Sequence, residues 1–316
     1  MAEPRWDIVV VGGGPAGLTA GLYAARDAMK TLLVERMVSG GQVATTEWVE
    51  NYPGFPDGIS GLELSQRMED QAKRFGLEVL QADVQDLRVV QEPKSFQLLT
   101  SQGIQHARAV ILAMGADWNR LGVPGEEEFR GKGVSYCATC DGPFFRDQEV
   151  VVVGGGDTAV EEGTYLTKMA AKVTLVHRRD RLRASPVIQQ RAFSNPKMEF
   201  VWNSVVESIE GGAAGVEKVR IRELTTGRIW EKPCSGVFVF VGMVPNTGFL
   251  RGLVEMDQKG YILTDDEMRT SLPGVFACGD ARRKLLRQVV TACGDGATAA
   301  KAAARYVEEL KGTAYD

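Results

Sequence analysis

The sequence predicts an α/β protein of two Rossmann-like dinucleotide-binding domains, each a three-layer ββα arrangement, with one domain inserted into the other. Three observations carry that expectation. An apolar run ending in three glycines, WDIVVVGGG at 6–14, opens the chain. The pattern returns as QEVVVVGGG at 148–156, 142 positions later counted from Gly12 to Gly154. A helix-like stretch and a second apolar run follow each copy, and strand, glycine turn, helix, strand is the unit that builds parallel sheets.

The elements follow in order. Residues 6–11 read as a buried strand, PAGLTAGLYAAR at 15–26 as a helix rich in Ala and Leu, and KTLLVER at 30–36 as a second strand. SGLELSQRMEDQAKRFG at 60–76 has helical spacing and a terminal glycine stop. Residues 78–117 alternate short strands with polar turns and end in ARAVILAMGAD. The second unit occupies 148–179. A strand and loop follow at 236–250, then LPGVFACGDARR at 272–283 and an Ala-rich helix at 294–312. Gly, Pro and Asn gather near 117–122 and 244–249, which places the domain joins there. The expected boundaries are 1–117 with 246–316 for the outer domain and 118–245 for the inserted one.

Bulk properties narrow the function. A length of 316 residues suits two domains, and 44% hydrophobic with 25% charged residues describes a globular chain. A net charge of −4 lacks the basic footprint of a nucleic-acid binder. No apolar run approaches the roughly 18–20 residues of a membrane span. The start, MAEPRWDIVVV, lacks the basic residues and cleavage site of a secretory signal, so a cytoplasmic location is expected. The five cysteines are Cys137, Cys140, Cys234, Cys278 and Cys293. An odd, mostly isolated set is no disulfide scaffold. In a reducing compartment a disulfide is more often catalytic or redox-sensing, which directs attention to the one close pair.

The first turn, Gly12-Gly13-Gly14-Pro15-Ala16-Gly17, fits G-x-G-x-x-G. Gly12 permits the tight turn, Gly14 lets backbone N–H groups approach a pyrophosphate, and Gly17 allows close helix–strand packing. Glu35 ends the next strand 18 residues after Gly17. A carboxylate there accepts hydrogen bonds from a ribose diol and repels a 2′-phosphate, so the site suits FAD or NAD. The second turn, Gly154-Gly155-Gly156-Asp157-Thr158-Ala159, is a G-x-G-x-x-A variant. Here His177-Arg178-Arg179 replaces the acid, with Arg183 four residues on. Arginine forks match phosphate oxygens, so this register reads as a 2′-phosphate site and hence NADP(H).

Two dinucleotide sites in one chain point to a flavin and a nicotinamide, the flavin supplying two-electron chemistry. Cys137 and Cys140 then form an electron acceptor, since a C-x-x-C thiolate attacks disulfides. Asp141 is placed to give or take the proton of thiol exchange. The competing reading is half of a zinc site. Zinc needs four ligands, but the other cysteines are scattered and the chain has only His106 and His177; no metal is expected. Cys234, Cys278 and Cys293 read as small buried hydrophobes.

Together these residues resemble the low-molecular-weight thioredoxin reductases of bacteria, over essentially the whole chain. The resemblance rests on Gly12–Gly17, GGQ at 40–42, VENYPGFP at 49–56, CATCDG at 137–142, GGGDTAVEE at 154–162, HRRDRLR at 177–183, GMVPNT at 242–247 and VFACGDARRKLLRQVVTA at 275–292. It implies that the outer domain binds FAD. Gly12, Gly14, Pro15, Ala16, Gly17, Glu35, Gly41, Gln42 and Asn51 would line that site. Gly279 and Asp280 would hold its ribityl and phosphate region, and Arg287, Gln288 and Val289 would lie at its ring. It implies NADPH binding in the inserted domain by Gly154, Gly156, Asp157, Thr158, Ala159, His177, Arg178, Arg179 and Arg183. Cys137 and Cys140 would form the redox disulfide, with Cys140 facing the flavin, Cys137 attacking a thioredoxin-like disulfide and Asp141 as the acid. A homodimer and a domain rotation between half-reactions are implied as well. Cys278 departs from the family's commoner alanine, and Pro143 and Lys132 depart in segments that dock the partner in relatives.

Overall fold

The two apolar runs that open the nucleotide units are both central strands. The structure, a computed structural model, describes residues 4–46, 48–90 and 95–314. The chain divides into two compact units, Met1–Asp117 with Val244–Asp316, and Trp118–Met243.

In the first unit β1 (Trp6–Val11) leads through the glycine turn into α1 (Pro15–Arg26) and β2 (Thr31–Glu35). Then come α2 (Gly61–Arg74), β3 (Glu78–Gln81), β4 (Val84–Val90), β5 (Ser95–Thr100) and β6 (Gly103–Leu112). β1 pairs in parallel with β2 on one side and β6 on the other, giving the order β3-β2-β1-β6-β5-β4. From Ile8 to Val11 β1 is continuously apolar because both its faces are buried. Ile8 and Val10 face one core with residues of α1, and Val9 and Val11 face the other.

β7 (Ala116–Trp118) leaves this unit. In the second unit β8 (Val134–Ser135) and the single helical turn α3 (Ala138–Asp141) precede β9 (Glu149–Gly154), α4 (Asp157–Leu166) and β10 (Lys172–Val176). There follow α5 (Pro186–Phe193), β11 (Met198–Val201), β12 (Ser204–Gly212), β13 (Gly215–Glu223), β14 (Ile229–Pro233) and β15 (Gly236–Phe240). A parallel sheet ordered β11-β10-β9-β15-β8 forms the nucleotide layer, and β12, β13 and β14 form an antiparallel sheet. That second sheet has no counterpart in the sequence reading. β16 (Met243–Pro245) returns the chain to the first unit. β17 (Val275–Ala277) adds in parallel to β6, and α6 (Val289–Lys311) closes the fold.

α6 starts five residues before the expected 294. Gly294 and Gly296 weaken the local helical signal, but packing overrides it. A methyl at Gly296 would stand 2.2 Å from the Ala16 carbonyl oxygen, so the glycine is what lets α6 close on α1. Replacing Gly296 by Ala should force α6 off α1 and cost about 2 kcal/mol, the scale of an overpacked interior. Thermal denaturation checks this, and an unchanged melting temperature would refute the close-approach argument.

Candidate nucleotide sites and redox centre

The first site is assembled from several separate segments of the first unit. Gly12 has φ +103°, and a side chain there would strike the Ala113 carbonyl at 2.5 Å. A methyl at Gly17 would stand 1.8 Å from the Gly12 carbonyl oxygen, so α1 starts directly on the turn. A methyl at Gly14 would meet nothing within 4 Å, which leaves that side of the backbone open at a helix N-terminus that carries Pro15 in its first turn. Ala16 is buried where α1 meets Gly279, whose Cβ would fall 2.7 Å from the Ala16 side chain. Gly41 rests against Gly14, and the Gln42 amide donates to the Ala116 carbonyl. Asn51 Nδ2 donates to Gln288 Oε1 at 2.9 Å, joining the 51 loop to the start of α6 at Val289.

Glu35 has already taken backbone donors. Its Oε2 accepts from Gly13 N–H at 2.6 Å and its Oε1 from Met37 N–H at 2.9 Å. The second turn repeats this geometry with another residue: Glu35 follows Gly12 by 23 positions, and His177 follows Gly154 by 23. The Glu35 side chain lies over Gly13, and the His177 ring lies over Gly155, where a methyl would stand 2.3 Å from ring atoms. His177 is only 6% exposed, and burial pushes its imidazole below the ordinary value. It therefore supports the turn as a neutral wedge rather than adding charge to the expected basic cluster. The charge sits beyond it on exposed Arg178, Arg179 and Arg183. Arg183 reaches Gly156, its guanidinium 3.8 Å from where a Cβ would be. Asp157 opens α4 and accepts from Ser185 N–H at 2.6 Å; Thr158 follows it, and Ala159 is buried under the turn.

The residues fit the two cofactors. Asp280 Oδ1 is buried and has no hydrogen-bond partner among the described residues, and Arg287 Nε is in the same condition. A buried acceptor without a donor is costly, and a ribityl or ribose hydroxyl would supply that donor. Burial raises the Asp280 carboxyl above its ordinary value, with Lys284 and Arg287 opposing. Arg287 stacks its guanidinium 4.2 Å from the Tyr261 ring centre.

The sequence reading missed the group that holds this region together. Asp295, on α6, accepts from Gly279 N–H at 3.1 Å, from Lys284 Nζ at 2.7 Å and from Arg282 at 3.3 Å. Its side chain is 12% exposed and that of Lys284 is 7%. One carboxylate thus ties the Gly279-Asp280 turn to the segment leading to Arg287. In sequence it is one acid between two glycines and carries no signal of its own.

Cys137 and Cys140 form a disulfide, Sγ–Sγ 2.11 Å and Cα–Cα 5.4 Å. Cys137 caps α3. Its Sγ accepts from Cys140 N–H at 3.2 Å and lies 3.3 Å from Thr139 Oγ1. Ser135 holds the Cys137 backbone by accepting its N–H at 3.0 Å and donating to its carbonyl at 3.1 Å. Glu162 of α4 accepts from Ala138 N–H at 3.2 Å. Asp141, half-buried, ends the turn, with Phe145 buried and Phe144 76% exposed just beyond. Cys278 is buried and its thiol is pushed far up by burial; burial also pushes Cys234 up to about 12. Neither is a thiolate at neutral pH.

Two dinucleotide turns serve a disulfide when electrons pass from one nucleotide through the other, which defines a class of nucleotide-dependent disulfide oxidoreductases. The profile of the pyridine nucleotide-disulphide oxidoreductase family matches residues 6–296. The thioredoxin reductase of Listeria innocua is 51% identical over 310 residues, 98% of this chain and 96% of that protein. That of Bacillus subtilis is 48% identical over 315 residues, 99% and 98% of the two chains. Among solved structures, Lactococcus lactis thioredoxin reductase in its FR conformation superposes with a TM-score of 0.94 at 46% identity, covering 96% of this chain and all of that one. This chain belongs to the pyridine nucleotide-disulphide oxidoreductases and, within them, to the thioredoxin reductases. The family works with FAD and NADPH.

Asp295→Asn should leave Lys284 and Arg282 without their carboxylate. Breaking such a buried pair costs about 3 kcal/mol. The expected result is a lower melting temperature and FAD lost on gel filtration, read from the ratio of flavin to protein absorbance. Full FAD retention at unchanged stability would refute the role of Asp295.

Proposed function

We propose that the chain reduces the disulfide of thioredoxin or a thioredoxin-like protein with electrons from NADPH. The observation that carries this is the Cys137–Cys140 disulfide, held on the unit that bears the arginine-rimmed second turn. In this reading residues 1–117 and 246–316 bind FAD, and residues 118–245 bind NADPH, through the residues described above. Bound FAD supplies two-electron transfer between a nicotinamide and a disulfide, which no side chain can supply.

The chain's own residues set the direction of the exchange. A disulfide breaks most readily toward the sulfur that is better stabilised as thiolate. Cys137 Sγ accepts the Cys140 N–H, so Cys137 is the sulfur that leaves when the bond opens and Cys140 is the one first attacked. Reduced Cys137 then attacks the partner's disulfide, and Cys140 attacks Cys137 to release it. Asp141, next to Cys140, is placed to give or take the proton as the Cys137–Cys140 pair opens and closes. Because the thiols and the FAD residues lie on different units, turnover asks the units to change orientation. The reading extends to a cytoplasmic homodimer, and sedimentation at twice the chain mass checks the dimer. Among the described residues no helix is long and apolar enough to cross a membrane.

Three outcomes test this. Cys137→Ser should keep reduction of the flavin by NADPH and abolish thioredoxin reduction; turnover by the variant would sink the proposal. Arg178→Ala should lose about tenfold or more in kcat/KM for NADPH, the worth of one charge-assisted contact, while NADH use is unchanged. An equal loss with both nucleotides would remove the 2′-phosphate assignment. A covalent cross-link between the two units should preserve one half-reaction and stop turnover; full turnover would end the reorientation claim.

A further inference from the structure

We propose that Thr139 is a catalytic residue, its hydroxyl donating a hydrogen bond to Cys137 Sγ and holding that sulfur as the thiolate that attacks the substrate's disulfide. The proposal rests on the thioredoxin reductase reading and adds a residue to it.

Thr139 Oγ1 lies 3.3 Å from Cys137 Sγ. A disulfide sulfur carries no hydrogen, so in the oxidised protein the hydroxyl is the donor. The Cys140 N–H points at the same sulfur from 3.2 Å. Cys137 Sγ thus sits between two donors. Both come from residues inside the C-A-T-C turn, so they stay in place when the disulfide opens.

Lys168 stacks 5.1 Å from the Tyr165 ring centre, and among the described residues no cation pairs with Cys137 Sγ. The titratable groups around the turn are Asp141 within it and, from α4, Glu162 and Tyr165. Glu162 accepts the Ala138 N–H at 3.2 Å, and the Tyr165 ring lies 3.8 Å from where a Cβ of Gly142 would stand. Neither acid offers a positive charge to a neighbouring thiolate. The Thr139 hydroxyl and the Cys140 N–H both lie against Cys137 Sγ, and hydrogen bonds to the charged form favour it. The Ser135 hydroxyl bonds to the Cys137 backbone instead and keeps the residue in place.

The covalent step is thiol–disulfide exchange. Cys137 thiolate attacks one sulfur of the substrate's disulfide. A Cys137–substrate bond forms, the substrate's S–S bond breaks, and its other sulfur leaves as a thiolate that takes a proton from water. Cys140 thiolate then attacks Cys137 Sγ. The Cys137–Cys140 bond re-forms and the second substrate sulfur departs. Two electrons have passed from the cysteine pair to the substrate, and the established activity restores them from NADPH. Thr139 acts in the first attack by raising the thiolate fraction of Cys137 near neutral pH.

The test is alkylation of Cys137 by iodoacetamide across pH. It uses the FAD-loaded Cys140→Ser protein and quantifies the Cys137 peptide by mass spectrometry, so Cys293 does not confuse the reading. Adding Thr139→Val should move the titration midpoint of Cys137 up by about one pH unit, the worth of one hydrogen bond to a charged group. Thr139→Ser should restore the parent midpoint, which a packing role for threonine would not predict. An unshifted Thr139→Val midpoint overturns the proposal. So does a Thr139→Ser shift as large as that of the valine. No thioredoxin is present in the assay, so its failure is separate from failure of the substrate assignment.

Discussion

Helix α1 can offer its N-terminus to a nucleotide only because glycine lets backbone press on it from three sides. Gly17 admits the Gly12 carbonyl, Gly296 admits the Ala16 carbonyl, and Gly279 admits the Ala16 side chain. Each added methyl would fall 1.8–2.7 Å from an atom already in place. Everything else in the first site follows from that crowding. It brings the strand-end turn of β17 and the start of α6 to the turn after β1, although some 280 residues separate them in sequence. Asp280, Arg287 and Asp295 matter only because the chain closes there.

The two turns share one scaffold with different electrostatics. In both, the residue 23 positions after the first glycine covers the middle glycine. In the first turn it is Glu35, whose carboxylate accepts the Gly13 N–H and so places negative charge beside the turn. In the second it is His177, buried and held below its ordinary value. The swap removes a charge that would repel a 2′-phosphate and leaves Arg178, Arg179 and Arg183 to set the field. On the proposed reading, discrimination between nucleotides needs no change of backbone, only a different side chain over one glycine and a different charge on the strand end.

What the sequence makes legible is whatever a short pattern carries. The apolar run of β1 and its repeat in β9 announce the parallel sheets, because strands buried on both faces tolerate few polar residues. The glycine turns are legible because their spacing reflects sterics between neighbours in sequence. Asp295 and Glu162 are illegible because their partners are remote. Asp295 meets Gly279 and Lys284 only after β17 and α6 have packed, and Glu162 meets Ala138 across 24 residues. The early start of α6 was hidden for the same reason: its glycines lower helical propensity locally and serve a contact with α1 that no window of sequence contains. His177 is an intermediate case. Its register was visible, but its burial depends on the aromatic wall of Trp202 and on Gly155, so a charged reading of the His-Arg-Arg run overstated it by one residue.

The placement of the thiols follows from α4. That helix begins at the second nucleotide turn with Asp157, and five residues later Glu162 grips the Ala138 N–H of the C-A-T-C turn. One short helix therefore bears the second glycine turn at its N-terminus and the disulfide on its flank, so the turn and the thiols of this unit keep a fixed separation. A pair of cysteines on a loop would wander relative to the nucleotide, and the exposed Phe144 beside them would wander too. Anchored to α4, the thiols and the hydrophobic tip at Phe144 instead move as one body with the second turn. On the proposed reading, a motion that brings the nicotinamide to the flavin would carry the disulfide with it, and the reverse motion would return it. Glu162 fixes the turn through the N–H of Ala138, the residue next to Cys137, whose Sγ lies against the Thr139 hydroxyl and the Cys140 N–H.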